Sequence, residues 1–433
     1  MSILKLTSFL TGAAILLGGM SMTASLPEAY ALTKTYQEYT FTYTVTDGKA
    51  VITGCKGEGE NLVIPQTLDG YKVTEIGAKA FAGLGLFSRI TIPDGVEVIG
   101  ERAFCDCSLV SNVVIPDSVT TIKDGAFLNC KSLQIAEIGS GLKNVGMYIF
   151  GACPKLYLIS VNKDNKYFAT SDKMLVSYDK KSLIQYAGNT NSVKIPDYIT
   201  SVMSGAFFGL TNINEVIIPN SVTNIDSYAF SGCLQLKSIE IPDSVKTIGE
   251  ACFMNCTGLK TVKLGNSLEK VEKRSFSMCS SLESVSFGEA LASIEEEAFY
   301  GCASLKEIYV PTSVKSISKN ALGTYYDLRT GSNVVYSDFM IRGEKGSVAE
   351  TYAKNTGLKF LEKGVILGDV TGEGAINALD ASVVLSEYAK TSVGEKESFT
   401  AAQKLAADYN LDNKINAYDA SLILAEYARL STS

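Results

Sequence analysis

Residues 218–240 read Ile-Pro-Asn-Ser-Val-Thr-Asn-Ile-Asp-Ser-Tyr-Ala-Phe-Ser-Gly-Cys-Leu-Gln-Leu-Lys-Ser-Ile-Glu. The closing Ser-Ile-Glu, continued by Ile241, alternates polar and apolar residues, the period of a strand with one buried face. Pro219 and Pro242 end such strands, because proline has no N–H to donate to a ladder. A second short extended piece, Val-x-x-Ile, follows, and a turn around Phe230 brings the chain back. The unit recurs every 23 residues: Phe81, Phe104, Phe127 and Phe150, then Phe207, Phe230, Phe253, Phe276 and Phe299, with Leu322 in the next slot. Ile-Pro pairs keep the same step at 92–93, 115–116, 195–196, 218–219 and 241–242, and Val310-Pro311 closes the series. Ile64-Pro65 fills that slot in a first unit with a longer turn, so seven of the nine prolines mark one position. A unit this short cannot bury its own apolar face, but stacked copies can. The expected fold is a repeat solenoid of short parallel β-strands plus turns. At roughly 4.8 Å per stacked strand, ten coils give a rod about 50 Å long.

Columns of constant phase show which positions face inward. Val113, Val216, Ile239, Val262, Val285 and Ile308 form one; Leu133, Leu236, Leu259, Leu282 and Leu305 form another. Between the inward strand positions runs a mixed column: Thr91, Val114, Glu137, Lys194, Ile217, Glu240, Lys263, Ser286 and Tyr309. Such irregularity marks a solvent-facing strand surface. It is the natural place for a ligand, and equally a place where sequence is unconstrained. From it we take Glu137, Lys194, Ile217, Glu240, Lys263, Ser286 and Tyr309 as the candidate ligand face. Seven of ten cysteines (107, 130, 153, 233, 256, 279, 302) sit three after the repeat phenylalanine. Parallel stacking aims neighbouring Cβ vectors the same way, which suits disulfide geometry poorly. The reading is a column of free, buried thiols, with Cys55, Cys105 and Cys252 outside it.

The register breaks once, between Phe150 and Phe207. Within the gap, Lys166-Tyr167-Phe168, Met174 to Tyr178 and Ser182 to Tyr186 look like short strands around an Asp179-Lys180-Lys181 turn. A hairpin decorating the solenoid at about 154–192 is preferred to a Tyr-rich binding protrusion. Residues 32–80 are read as an N-terminal cap with the first irregular repeat, opening on the alternation Tyr39, Phe41, Tyr43, Val45. The regular solenoid spans 81–322, and 323–365 cap its other end. Residues 1–31 read as a signal peptide, with Lys5, an apolar run from Phe9 to Gly19 and a small-x-small site at Ala29-Tyr30-Ala31. No later segment is long and apolar enough for a membrane span.

The pattern Ile-Pro-x-x-Val-x-x-Ile-x-x-x-Ala-Phe-x-x-Cys-x-x-Leu over 61–322 resembles the BspA-like leucine-rich repeats of bacterial surface and secreted proteins. The resemblance implies a solenoid used for binding, often adhesion to proteins or surfaces, without naming a ligand.

Residues 368–390 and 407–429 align at a separation of 39 with eleven identities in 23. The second copy places oxygen donors at loop positions 1, 3 and 5 (Asp408, Asn410, Asp412), a backbone carbonyl at 7 (Lys414) and a carboxylate at 12 (Asp419). The first offers Asp369, Thr371, Glu373, the Ala375 carbonyl and Asp380. This spacing wraps a hard cation in oxygens, as in an EF-hand loop, so two calcium ions are expected. Loop one is the weaker, because Thr371 is neutral and Glu373 one methylene longer than aspartate. Loop two carries Asn413 where glycine is expected, and asparagine tolerates a left-handed backbone. The following helices carry Val383, Val384 and Leu385, or Leu422, Ile423 and Leu424, as apolar faces to pack together. This duplicated segment, 366–433, resembles a small all-α type I-like dockerin. That resemblance implies attachment to a cohesin domain of a scaffold protein, as in a cellulosome. By its motif positions the cohesin contacts would be Ala378, Leu379, Ala417 and Tyr418, with Lys390 and Arg429 at the rim.

The 433-residue chain contains no histidine and no tryptophan. Without histidine there is no Ser-His-Asp or Cys-His pair and no His-ligated zinc. The net charge is −7, and 366–433 carry ten acidic against five basic side chains, which points to cations there and nowhere to nucleic acid. The chain is thus expected to be a secreted, extracellular, non-catalytic binding protein for a protein or glycan, attached to the cell surface or a cellulosome through its dockerin. Alternatives are a polysaccharide-degrading or other hydrolytic subunit, because dockerins most often carry such domains, and a scaffold-borne protease inhibitor or adhesin for host proteins. A glycosidase would need two carboxylates across a cleft, and the repeat columns offer no such pair.

Overall fold

The computed structural model describes residues 31–432; the stretch read as an export signal lies outside them, apart from Ala31. From 61 to 317 each regular coil contributes two parallel strands. Those ending at Ile-Pro form one row, in register from coil to coil: Val113 faces Ala136, which faces Ile159. The Val-x-x-Ile pieces form a second row of two-residue strands such as Val98–Ile99, Thr121–Ile122 and Asn144–Val145. The phenylalanine turn extends the ladder, its N–H groups reaching the following coil: Phe104 donates to the Ala126 carbonyl (2.7 Å) and Phe230 to that of Cys252 (2.9 Å). The rings themselves stack. Phe207, Phe230, Phe253, Phe276 and Phe299 lie 4.8 to 5.3 Å apart between centroids, within 13° of parallel. Both inward columns are buried, with Val285 half-buried.

All ten cysteines are free. Each of the seven in the column donates its S–H to the phenylalanine carbonyl of the preceding coil, as Cys256 does to Phe230 and Cys302 to Phe276, both at 3.2 Å. That carbonyl already accepts the N–H of its own turn, from Cys233 and Cys279 respectively, so the thiol fills its second lone pair. Burial pushes the Cys302 thiol up to about 12, which keeps its proton in place. Buried, protonated thiols are poor nucleophiles, and nine of the ten are buried, Cys55 alone being half-buried. Titration of the native protein with a thiol reagent, reductant absent, is therefore expected to label at most one thiol per chain, and all ten in guanidinium. Fewer than ten in denaturant would mean disulfides.

The break in register differs from the hairpin expected at 154–192. Phe168–Ser171, Met174–Ser177 and Ser182–Tyr186 form a three-stranded antiparallel meander, and its last strand pairs in parallel with Ser201–Val202 in the second row. The middle strand is buried on both faces. Leu175 joins the core that runs from Tyr39 to Ala187, whereas Met174 and Val176 join the core from Met174 to Leu358. The meander is therefore a wedge inside the stack. Tyr186 explains how the stack resumes: its N–H donates to the Ala206 carbonyl (2.9 Å) and its ring stacks on Phe207 at 5.3 Å, so it takes the phenylalanine slot of a coil that has no other.

Three antiparallel strands, Leu32–Tyr36, Tyr39–Thr46 and Lys49–Gly57, close the N-terminal end, burying Tyr39, Phe41 and Tyr43. At the other end Met340–Gly343 and Lys359–Glu362 extend the first row in parallel. Between them helix α1 (Val348–Thr356) covers the last coil with Ala349, Tyr352 and Ala353. The chain then passes at once into a helical region, α2 (Ala378–Ser392), α3 (Ala401–Ala407) and α4 (Ala417–Ser431). Arg342 holds the Val365 carbonyl at this junction (3.0 Å), and Lys359 donates to the Asn410 carbonyl (2.8 Å).

Candidate functional site

The helical region is built around its two loops. In loop one Asp369 accepts the N–H groups of Gly372, Glu373 and Gly374 at 2.7 to 3.1 Å. Asp408 accepts those of Asp412 (2.9 Å) and Asn413 (2.7 Å) in loop two. The tight sixth position needs a left-handed backbone: Gly374 has φ +88° and Asn413 φ +65°. Position 12 does two jobs. Asp380 accepts the Thr371 N–H and hydroxyl, both at 2.9 Å, and also the Asn377 N–H (2.9 Å). Its counterpart Asp419 accepts from Asn410 (3.4 Å) and Asn416 (3.0 Å). Each thus closes its loop and completes the capping box that starts α2 or α4.

Asp369, Asp380, Asp408 and Asp419 are all buried. Among the described residues none of them pairs with a lysine or arginine, although a buried carboxylate is costly without a compensating charge. Burial foremost, then the negative charges of Asp419 and Asp412, holds the Asp408 carboxyl above its ordinary range. A cation would relieve that repulsion. Among the described residues no three Asp, Glu or Cys side chains by themselves make a metal-holding group. The donor set fits a hard ion only with the Asn410 amide, the Thr371 hydroxyl and the carbonyls of Ala375 and Lys414 included, as oxygen-ligand loops of this length require.

The helix pair packs through Ala381 and Val384 of α2 and Ala420 and Ile423 of α4. The expected apolar triplets split by helical periodicity: Val384 and Ile423 are central, Val383 and Leu422 flank them, and Leu385 and Leu424 are exposed. On the outer surface Leu379 and Lys390 lie eleven residues apart, about 20° from the same direction on a 3.6-residue helix. Tyr418 and Arg429 repeat this on α4. Leu379 and Tyr418 are 57% and 59% exposed, Ala378 and Ala417 are exposed beside them, and Leu385 and Leu424 extend the patch. A run of three apolar residues counts those two leucines as inward; the 39-residue duplication, read with a helical wheel, would have found them. The halves are not equivalent, since Arg429 is held by Glu426 (2.6 Å). Glu387, which the loop spacing does not single out, is buried and ties down the α2–α3 connection by accepting from the Ser398 N–H and hydroxyl and the Phe399 N–H.

On the solenoid every residue of the proposed ligand face is exposed. Ile217, Glu240, Lys263 and Ser286 come together in one open groove of about 640 Å³, walled by Asn220, Asp243, Asn266 and Phe287. Glu137 belongs to a second groove of about 450 Å³ in the N-terminal half, with Val114, Asp117 and Ser160. Lys194 and Tyr309 line neither; the Lys363 ammonium lies 5.3 Å from the Tyr309 ring centre. Lys263 and Glu240 pair across adjacent coils (2.6 Å) but are two-thirds exposed, so the pair adds little stability and is free to open to a ligand. Asp243 and Asp117 are engaged by the N–H groups of Asn266 (2.7 Å) and Ser140 (2.6 Å), which holds both carboxyls below the usual range. The groove thus offers amides, apolar edges, the Lys263–Glu240 pair and the further carboxylates of Asp243 and Glu215, which suits a polar surface that is neutral or positively charged.

A family model described as BspA type leucine-rich repeat region matches residues 62–172, 180–289 and 223–331. A dockerin type I domain model matches 367–426. Among solved structures, a leucine-rich cell surface protein from Faecalibacterium prausnitzii is 22% identical, with 69% of this chain and 96% of that one covered and a TM-score of 0.42. A leucine-rich repeat protein from Eubacterium ventriosum is 21% identical (67% and 94% covered, TM-score 0.42). The pneumococcal vaccine antigen PcpA is 17% identical (78% and 100% covered, TM-score 0.40). Comparison with curated proteins finds no match.

Proposed function

The chain belongs to the BspA type leucine-rich repeat family and carries a dockerin type I domain, and from that premise we propose that it is an exported, non-catalytic binding protein. Its solenoid presents the groove around Ile217, Glu240, Lys263 and Ser286 to a protein or glycan. Its dockerin holds two calcium ions and attaches the chain to a cohesin of a cellulosome-type scaffold, outside the cell. The observation that carries this reading is that solenoid, caps and paired loops together occupy the described chain, with one irregular, exposed column over a groove. Asp369, Thr371, Glu373, the Ala375 carbonyl and Asp380 would hold one ion, and Asp408, Asn410, Asp412, the Lys414 carbonyl and Asp419 the other. Calcium supplies the positive charge that lets these carboxylates share a site. The protein side fixes the starts of α2 and α4, and so sets the outward stripes of Leu379 and Lys390, and of Tyr418 and Arg429, against a partner.

The test is to probe the purified chain on glycan and protein arrays. A ligand found there is expected to bind at least tenfold more weakly to the Ile217→Ala/Glu240→Ala/Lys263→Ala variant, with cohesin binding unchanged. Release of sugars from plant polysaccharide by the purified chain would replace this reading with the hydrolytic one.

A further inference from the structure

The segment that holds the wedge and the chain flanking it carries charge of the opposite sign to the rest of the protein. Residues 155–194 hold seven lysines against three aspartates and no arginine, in a chain of net charge −7. All seven lysines are exposed. Elsewhere on the solenoid basic side chains are commonly neutralised across neighbouring coils, as in Lys260–Glu283, Lys273–Glu296 and Arg274–Glu297. Among the described residues none of these seven lysines forms an ion pair. At one end of the meander the Tyr178 N–H donates to the Tyr167 carbonyl (2.8 Å), continuing the register that sets Phe168 opposite Ser177. The two tyrosines are therefore a cross-strand pair, 48% and 58% exposed. Lys166 precedes the first, and Lys180 and Lys181 follow the second in the turn. The one acid of that turn, Asp179, is taken up by the Ser177 hydroxyl (2.6 Å) and the Lys181 N–H (3.0 Å). Because the middle strand is buried on both faces, this aromatic and basic end is held rigidly.

We propose that Tyr167 and Tyr178, with Lys166, Lys180 and Lys181, form a second binding surface, for a polysaccharide bearing carboxylates. Two adjacent phenol rings offer flat faces to the apolar faces of sugars, and ammonium groups are compact point charges that meet single carboxylates without a fixed fork geometry. A nucleic acid is the poorer fit, because arginine, the usual phosphate and base reader, is absent from the segment. None of these five residues lines either groove described above, and the surface requires neither dockerin nor cohesin.

The full-length protein is titrated with polygalacturonate and with its fully methyl-esterified form. Expected is at least tenfold preference for the acid form, weakening as salt rises. The Lys166→Gln/Lys180→Gln/Lys181→Gln variant loses at least tenfold in affinity for the acid form, and Tyr167→Ala/Tyr178→Ala loses it as well. These side chains are exposed, so an unchanged melting temperature confirms that both variants fold. Equal binding of the two polymers, no binding, unchanged binding by either variant, or tighter binding of single-stranded DNA overturns the proposal. Loss of binding in Glu240→Ala/Lys263→Ala but not in the lysine variant would place the ligand in the groove instead, overturning this surface while leaving the groove reading intact.

Discussion

Adding a calcium chelator is expected to remove one of two unfolding transitions, the helical one, and to abolish cohesin binding while the solenoid transition stays where it was. The paired loops bury Asp369, Asp380, Asp408 and Asp419 without a basic partner among the described residues. For Asp408 the sign is explicit. Its carboxyl sits above the usual range in the folded chain, so ionisation opposes folding, and stability falls as pH rises through that raised value unless a cation offsets the charge. Once Asp408 is ionised, the metal-free module carries this cost and a bound cation offsets it. A ligand present at a thousandfold excess over its Kd stabilises by about 4 kcal/mol, a large share of what so small a helical core can supply. Asp419→Ala should be the more severe single substitution. It removes the proposed ligand together with the closing contact to Asn410 and the Asn416 capping bond, and excess calcium should not restore it. Asp408→Ala leaves the cap of α4 in place and should be partly rescued by calcium. For both, cohesin affinity is expected to drop ~100-fold or more, a difference of about 2.7 kcal/mol. Calorimetry should resolve two sites, with loop one the weaker. Cohesin binding that survives chelation would refute the calcium mechanism.

The solenoid could be read from the sequence because each coil repeats the same physical problem. A column of identical side chains is the only arrangement that buries a 23-residue unit, so the phases of Phe253, Leu259 and Val262 give the core directly. What could not be read are contacts that no period encodes. The wedge looks like a surface hairpin in sequence because alternation shows that a strand has one apolar face and cannot show a second one buried. Met174-Leu175-Val176 is a continuous apolar run, the pattern of a strand covered on both sides, and it was the available signal. The thiols follow the inward phase, but their bond to a carbonyl 26 residues back is a matter of coil-to-coil geometry that spacing does not reveal. In the dockerin, ligand spacing locates the loops, whereas Glu387 acts on a connection with no counterpart in the other half. Its partner by alignment, Glu426, pairs with Arg429 instead.

Phe253→Ala is expected to cost about 3–5 kcal/mol, far more than any exchange on the solenoid's exposed column, and to act on only half of the rod. The ring is fully buried and lies between Phe230 (5.1 Å, 1°) and Phe276 (5.3 Å, 0°). Truncation therefore removes two stacking contacts, each worth about 0.5–1.5 kcal/mol beyond its buried area, and opens a cavity that rigid coils on either side cannot close. In a stack where each coil touches only its neighbours, such a defect weakens the two interfaces beside it and divides the array there. The wedge is expected to limit how far the damage spreads, because the buried residues fall into two clusters divided at the meander, bridged beside it where the Ala152 N–H donates to the Phe208 carbonyl (2.8 Å) and the Tyr148 ring meets Phe208. Hydrogen exchange should then show protection lost through the coils of 207–322 while the N-terminal core around Phe104 and Phe127 keeps it. Phe253→Leu should give an intermediate loss over the same coils. Equal loss of protection in both halves would mean that the meander transmits cooperativity instead of interrupting it, and the solenoid would then be one folding unit despite its two cores.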